Sequence, residues 1–122
     1  MRYFDSDGRY NWVDENNVLV GYDSSQSCCE NYSWSFKLES PSASDHPNPE
    51  SVVIAPYRFD TEFFVESEPG KESYTEEYTA TFRMVADGLP DLFLVLSNSH
   101  NGYYGHGFSM QVGGTVTKSG CL

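Results

Sequence analysis

Tyr32, Trp34, Phe36 and Leu38 are apolar at every second position, with Ser33, Ser35 and Lys37 between them. A period of two puts one side of a strand into a core and leaves the other outside. The same alternation runs through Tyr74–Ala86, where Tyr74, Tyr78, Ala80, Phe82, Met84 and Ala86 share a face with Glu76 as the single charge in register. It returns at Phe108, Met110 and Val112. Tyr10–Val13 and Val18–Tyr22 flank the turn-rich Asp14-Glu15-Asn16-Asn17, which predicts a hairpin. Leu92-Phe93-Leu94-Val95-Leu96 is apolar on both faces, as a central strand is, and follows the Asp87-Gly88 turn and Pro90. Gly113-Gly114 allows a bulge or bend before Thr115–Lys118. Val52–Ala55 is a short apolar run ended by Pro56, and Phe59–Val65 fits either a strand or a helical turn capped by Asp60. The sum is seven to nine short strands with little helix: a mostly β chain, arranged as an antiparallel β-sandwich or a rolled sheet.

The chain's 122 residues fit a single domain spanning 1–122. Its one low-complexity stretch, residues 39–50, holds three Pro and three Ser and reads as an exposed loop, because neither flank has enough apolar residues for a core of its own. Nine Tyr, eight Phe and two Trp argue against disorder and favour strands.

Charge narrows the partners. Seven Lys and Arg against 18 Asp and Glu give 7 − 18 = −11, which opposes nucleic-acid backbones and anionic membranes. No apolar run approaches the roughly 18 residues of a membrane span, and Met1-Arg2-Tyr3-Phe4-Asp5 has no signal-peptide hydrophobic region, so cytoplasmic residence is the expectation. Between Asp60 and Glu77 stand seven carboxylates (Asp60, Glu62, Glu66, Glu68, Glu72, Glu76, Glu77) against Lys71 alone. Such a run is a solubilising face, or a docking surface for a basic protein.

Asn101-Gly102 is a strong two-residue hairpin signal, since both central residues of a type I′ turn need positive φ. A two-residue loop there pairs residues whose numbers sum to 203: Phe93 with Met110, Val95 with Phe108, Ser97 with His106, Ser99 with Tyr104. His100 and His106 then point to opposite faces. Gly105 and Gly107 leave a trough beside Leu96 and Asn98, filled either by the chain itself or by a ligand. The candidate ligand-contacting residues are Asn98, His100, Tyr103, Tyr104, His106 and Glu30.

Cys28, Cys29, His100 and His106 are residue types that zinc accepts, but adjacent Cys on a strand face opposite ways, whereas structural sites use Cys-x₂₋₄-Cys. No metal and no cofactor are therefore assigned. Three Cys do not form a disulfide framework. A Cys28 or Cys29 nucleophile needs a nearby base; His106, oriented by Glu30, would serve if the two strands ended together. Neither a P-loop nor a dinucleotide-binding glycine motif is present.

Cys28-Cys29-Glu30 before Trp34, with Ser99-His100-Asn101-Gly102-Tyr103-Tyr104-Gly105-His106-Gly107-Phe108, resembles small uncharacterised bacterial and phage-associated domains that share a Cys-Cys pair and an Asn-Gly-Tyr-Tyr-Gly hairpin. The resemblance implies a compact β domain of bacterial or phage origin and brings no activity with it. The expected function is a non-enzymatic interaction protein with a basic protein partner. The alternatives are a small-ligand module at the glycine trough and a thiol- or zinc-dependent enzyme.

Overall fold

The computed structural model describes residues 1–6, 8–24, 31–41, 52, 55–67, 78–99 and 107–122. Among them lie ten strands: β1 Arg2–Ser6, β2 Arg9–Val13, β3 Val18–Asp23, β4 Asn31–Leu38, β5 Arg58–Phe59, β6 Val65–Ser67, β7 Tyr78–Val85, β8 Leu92–Ser99, β9 Gly107–Val112 and β10 Thr115–Cys121. They form two antiparallel sheets, ordered β1-β2-β3-β9-β10 and β4-β8-β7-β5, with β6 also paired to β7. The mostly β architecture matches the periodicity. The strand number exceeds the expected seven to nine because Arg2–Ser6 carries no clear alternation and Val65–Ser67 is only three residues long.

Register explains why these residues face each other. In the second sheet, Trp34 pairs with Leu96 and Leu96 with Ala80; Phe36 pairs with Leu94 and Leu94 with Phe82. Both rungs are apolar, and they pack on Trp12, Val20, Tyr22, Phe108 and Met110 of the first sheet as one buried cluster. Rings cross between the sheets: Trp12 meets Trp34 edge-on at 5.0 Å, and Phe82 meets Phe108 at 6.1 Å. Such tilted and T-shaped contacts suit the ring quadrupoles. Phe93, on the outward side of β8, is covered by Phe63 at 5.6 Å, so the central strand is buried on both faces as its composition predicts.

The predicted ladder between the strands flanking Asn101-Gly102 is not formed; residues 100–106 themselves lie outside the described residues. β8 is hydrogen-bonded to β4 and β7, while β9 lies between β3 and β10. Phe93 stands opposite Lys37 and Arg83, and Met110 opposite Val20 and Lys118, not opposite each other. A strand has two edges; with both engaged elsewhere, β8 and β9 cannot form the predicted ladder. Instead they belong to opposite layers. The turn at Asp87-Gly88 and the β2–β3 hairpin stand as expected, and Gly113 and Gly114 take φ of 57° and 86° to link β9 to β10. The ambiguous Phe59–Val65 segment combines both readings. β5 ends at Phe59, and Asp60 then accepts from the Glu62 N–H at 3.1 Å in a turn.

Two carboxylates organise the loops. Asp14 is 5% exposed and has three backbone donors: Asn16 N–H and Val18 N–H reach Oδ1, each at 2.9 Å, and Phe59 N–H reaches Oδ2 at 2.8 Å. It shapes the β2–β3 turn and ties that turn to β5 in the other sheet. Asp60, half-buried, pairs with the Arg83 guanidinium, whose Nε donates at 3.1 Å; Arg83 also lies 5.0 Å above the Phe63 ring. Asp60 therefore leaves the expected acidic face for an internal role. The Arg83 hydrogen bonds, followed by the Glu62 N–H, hold its pKa below the ordinary carboxylate value.

Asp14→Ala is expected to destabilise the fold by about 2–4 kcal/mol in urea unfolding, because three donors lose their acceptor. Asp14→Asn recovers only part, since its amide nitrogen would confront a donor. On acidification the unfolded chain protonates Asp60 first, because the folded-state pKa is the lower. The pair's contribution is thus full above about pH 4 and is lost as pH falls through the folded value. Stability curves of the native chain and Asp60→Asn should converge at low pH; parallel curves would remove the pair from the acid response.

Candidate functional site

Of the residues predicted to contact a ligand, Asn98 is described. His100, Tyr103, Tyr104, His106 and Glu30 lie outside the described residues, as do Cys28 and Cys29. Asn98 is on the inward face of β8, level with Tyr32 and Tyr78. It is 0% exposed, and its Nδ2 donates to the Leu122 carbonyl at 3.0 Å. Asn98 therefore anchors the buried end of the chain and does not rim an open trough. Gly107 sits opposite Cys121, alternating with the buried Phe108, so it faces away from the interior. A trough shared by Gly107, Leu96 and Asn98 does not form, because the glycine and the other two belong to different sheets.

An accessible surface lies at the other end of the first sheet's order. Every residue of β1 is exposed. β1 pairs with β2, setting Tyr3 opposite Trp12 and Phe4 opposite Asn11. Tyr3, 38% exposed, turns inward and packs on Trp12 at 5.7 Å, Trp34 at 5.6 Å and Tyr10 at 6.4 Å. It bridges the first sheet to the edge strand β4 of the second. Behind it Trp12 is fully buried, and its indole N–H has no hydrogen-bond partner among the described residues. Burial, then Asp5 and Tyr10, push the Tyr3 phenol pKa up. Phe4, 37% exposed, turns to the outer face, with the Arg2 guanidinium 5.8 Å from its ring centre. Met1 to Phe4 line a shallow, open depression of ≈ 430 Å³.

The backbone of β1 is oriented by one side chain. Asn11 Nδ2 donates to the Phe4 carbonyl at 3.3 Å, so that carbonyl points toward β2. In an antiparallel strand the polar groups of successive residues alternate in direction. The N–H and C=O of Tyr3 and Asp5 therefore point to the free edge.

The other edges are guarded. β10 carries a register shift between Val116 and Lys118, and Lys118 lies opposite the buried Met110, so it is turned toward the interior. β5 and β6 are two and three residues long. β4 is regular, but most of its described side chains are partly buried, and it bears Lys37. Bulges, prolines, inward charges and short strands are the usual protections of a sheet edge; β1 is regular, with neither a bulge nor a proline, and its one charge on the face of Tyr3 is Asp5. Sequence reasoning missed this strand; its one signal was Asp7-Gly8, a turn dipeptide between Arg2–Ser6 and Arg9–Val13.

The exposed charge is lopsided. Asp5, Glu15, Glu39, Glu62, Glu66, Asp87 and Asp91 are exposed, whereas Arg2 is the one exposed cation among the described residues. Arg58 reaches Asp87 at 3.6 Å, and Arg9 lies across Gly21 to donate to Ser109 at 3.1 Å. Among the described residues no three His, Cys, Asp or Glu side chains gather as a metal would require, and no helix is long and apolar enough to cross a membrane. Comparison with protein-family models, curated proteins and solved structures finds no match to this chain.

Removing the Tyr3 ring should be felt by both tryptophans. Tyr3→Ser is expected to shift tryptophan emission to the red and to cost about 1–2 kcal/mol of stability. Unchanged emission would place Tyr3 away from the indoles in solution.

Proposed function

We propose that this protein is a non-enzymatic, acidic interaction protein whose partner is a basic protein. The observation that carries this reading is the surface charge: a net −11, with the described exposed carboxylates opposed by one exposed cation. A field of one sign steers and holds a partner of the other, and salt weakens it. The Arg83–Asp60 pair is compatible with the same reading, because one of the few cations is already matched with a carboxylate of this chain. Raising salt from about 50 to about 500 mM is expected to weaken partner binding about tenfold or more, as the Debye length shrinks to a few ångström. Reversing Glu62 and Glu66 to Lys should weaken it at low salt only. Binding indifferent to salt would defeat the reading.

A second reading, a thiol-dependent site, is supported by one register. Asn31, the first residue of β4, pairs with Ser99, the last of β8; Cys28, Cys29 and His106, the residues of this reading, lie outside the described residues. In a Cys121→Ser background, which removes the exposed thiol, this reading expects rapid alkylation of Cys28 or Cys29 by iodoacetamide near neutral pH. Slow alkylation of both dismisses it.

A further inference from the structure

We infer that the basic partner docks by adding an extended strand to the free edge of β1. The inference rests on the acidic-interaction reading above and gives that interaction a place and a geometry. Three observations carry it. The N–H and C=O of Tyr3 and Asp5 face outward, and among the described residues no strand lies beyond them. The strand has no bulge, no proline and no inward-pointing cation, unlike the β10 edge. Its side chains offer a different grip on each face: Tyr3 and Asp5 on one, Arg2, Phe4 and Ser6 on the other.

Strand addition draws affinity from main-chain bonds and selectivity from alternate side chains. An added antiparallel strand places its own residues directly opposite those of β1 on the same face. Opposite Asp5 the favoured residue is Lys or Arg. Opposite Phe4 it is apolar, because a cation there would meet Arg2. The matching segment therefore alternates basic and apolar residues. A second copy of this chain fits less well: it would bring another net −11 to the contact, and face-preserving registers set Asp5 against Tyr3 or Met1, not against a basic side chain.

The probe is a peptide of about ten residues alternating Lys and Val, with binding followed by calorimetry to the full chain. Asp5→Pro removes an outward N–H and leaves the β1–β2 ladder intact, since that ladder uses Phe4 and its even-numbered neighbours. Asp5→Asn removes the charge alone. Asp5→Pro should weaken binding about tenfold or more, and Asp5→Asn less than about threefold. A peptide N-methylated at its lysines should likewise fail on the native chain, while one N-methylated at its valines should bind. That arm holds even if Asp5→Pro does not fold.

Equal binding of both methylated peptides overturns strand addition while leaving a basic partner intact. Failure of every peptide to bind, at low salt as well as high, overturns strand addition at β1; if the acidic chain also fails to hold basic proteins in a salt-dependent way, the parent reading falls with it. A concentration-dependent dimer of the native chain that Asp5→Pro abolishes would assign the edge to a second copy and overturn the choice of partner.

Discussion

A β-strand has two hydrogen-bonding edges, and the layout of this protein follows from how the strands around its core use theirs. β8 is held between β4 and β7, and β9 between β3 and β10. With those four ladders formed, two strands consecutive in the order of elements fall into opposite layers. Their apolar rows then meet across the interior: Leu94 and Leu96 look toward Phe108 and Met110 from the facing sheet, and all four are buried. The same arrangement leaves β1 and β10 as the margins of the first sheet. Every feature of the candidate docking edge is downstream of that choice.

The interior is closed by polar groups as well as by rings. The buried Asp14 carboxyl is held by three backbone N–H groups, one of them from the other sheet. Tyr22 donates its hydroxyl to the Ser97 carbonyl at 2.7 Å, a second stitch between the layers. Asn98 fixes Leu122 from the same strand. A buried acceptor or donor stabilises only when its partner is in place, so these contacts select one relative position of the sheets where apolar packing alone would allow several. The surface is arranged in the opposite sense. Cations are drawn onto carboxylates, rings and glycine surfaces, and among the described residues the exposed charge is acidic apart from Arg2.

The faces of β4, β7, β8 and β9 were legible in the sequence. Tyr32 to Leu38, Tyr78 to Met84 and Phe108 to Val112 turn the predicted side chains inward, and Leu92 to Leu96 is central. The turns at Asp14–Asn17, Asp87-Gly88 and Gly113-Gly114 lie where their residue types put them. The edge strand β1 was not legible. Its five residues mix aromatic and charged types without a buried row, because an exposed edge has no core to impose one. Asn98, read as a rim residue beside a glycine trough, is a buried anchor; its role depends on Leu122, which lies 24 positions away in the chain.

Local pattern determined which side of each strand is apolar and where the chain reverses, since side-chain direction alternates with a period of two and turn residues act through their own φ and ψ. Partner choice came from tertiary structure. Backbone N–H and C=O groups are chemically the same in every strand, so the ladder in which they pair is decided by how the whole core closes. For this chain that separated Leu92–Ser99 from Gly107–Val112 and left Tyr3 and Asp5 with their main-chain groups turned to solvent.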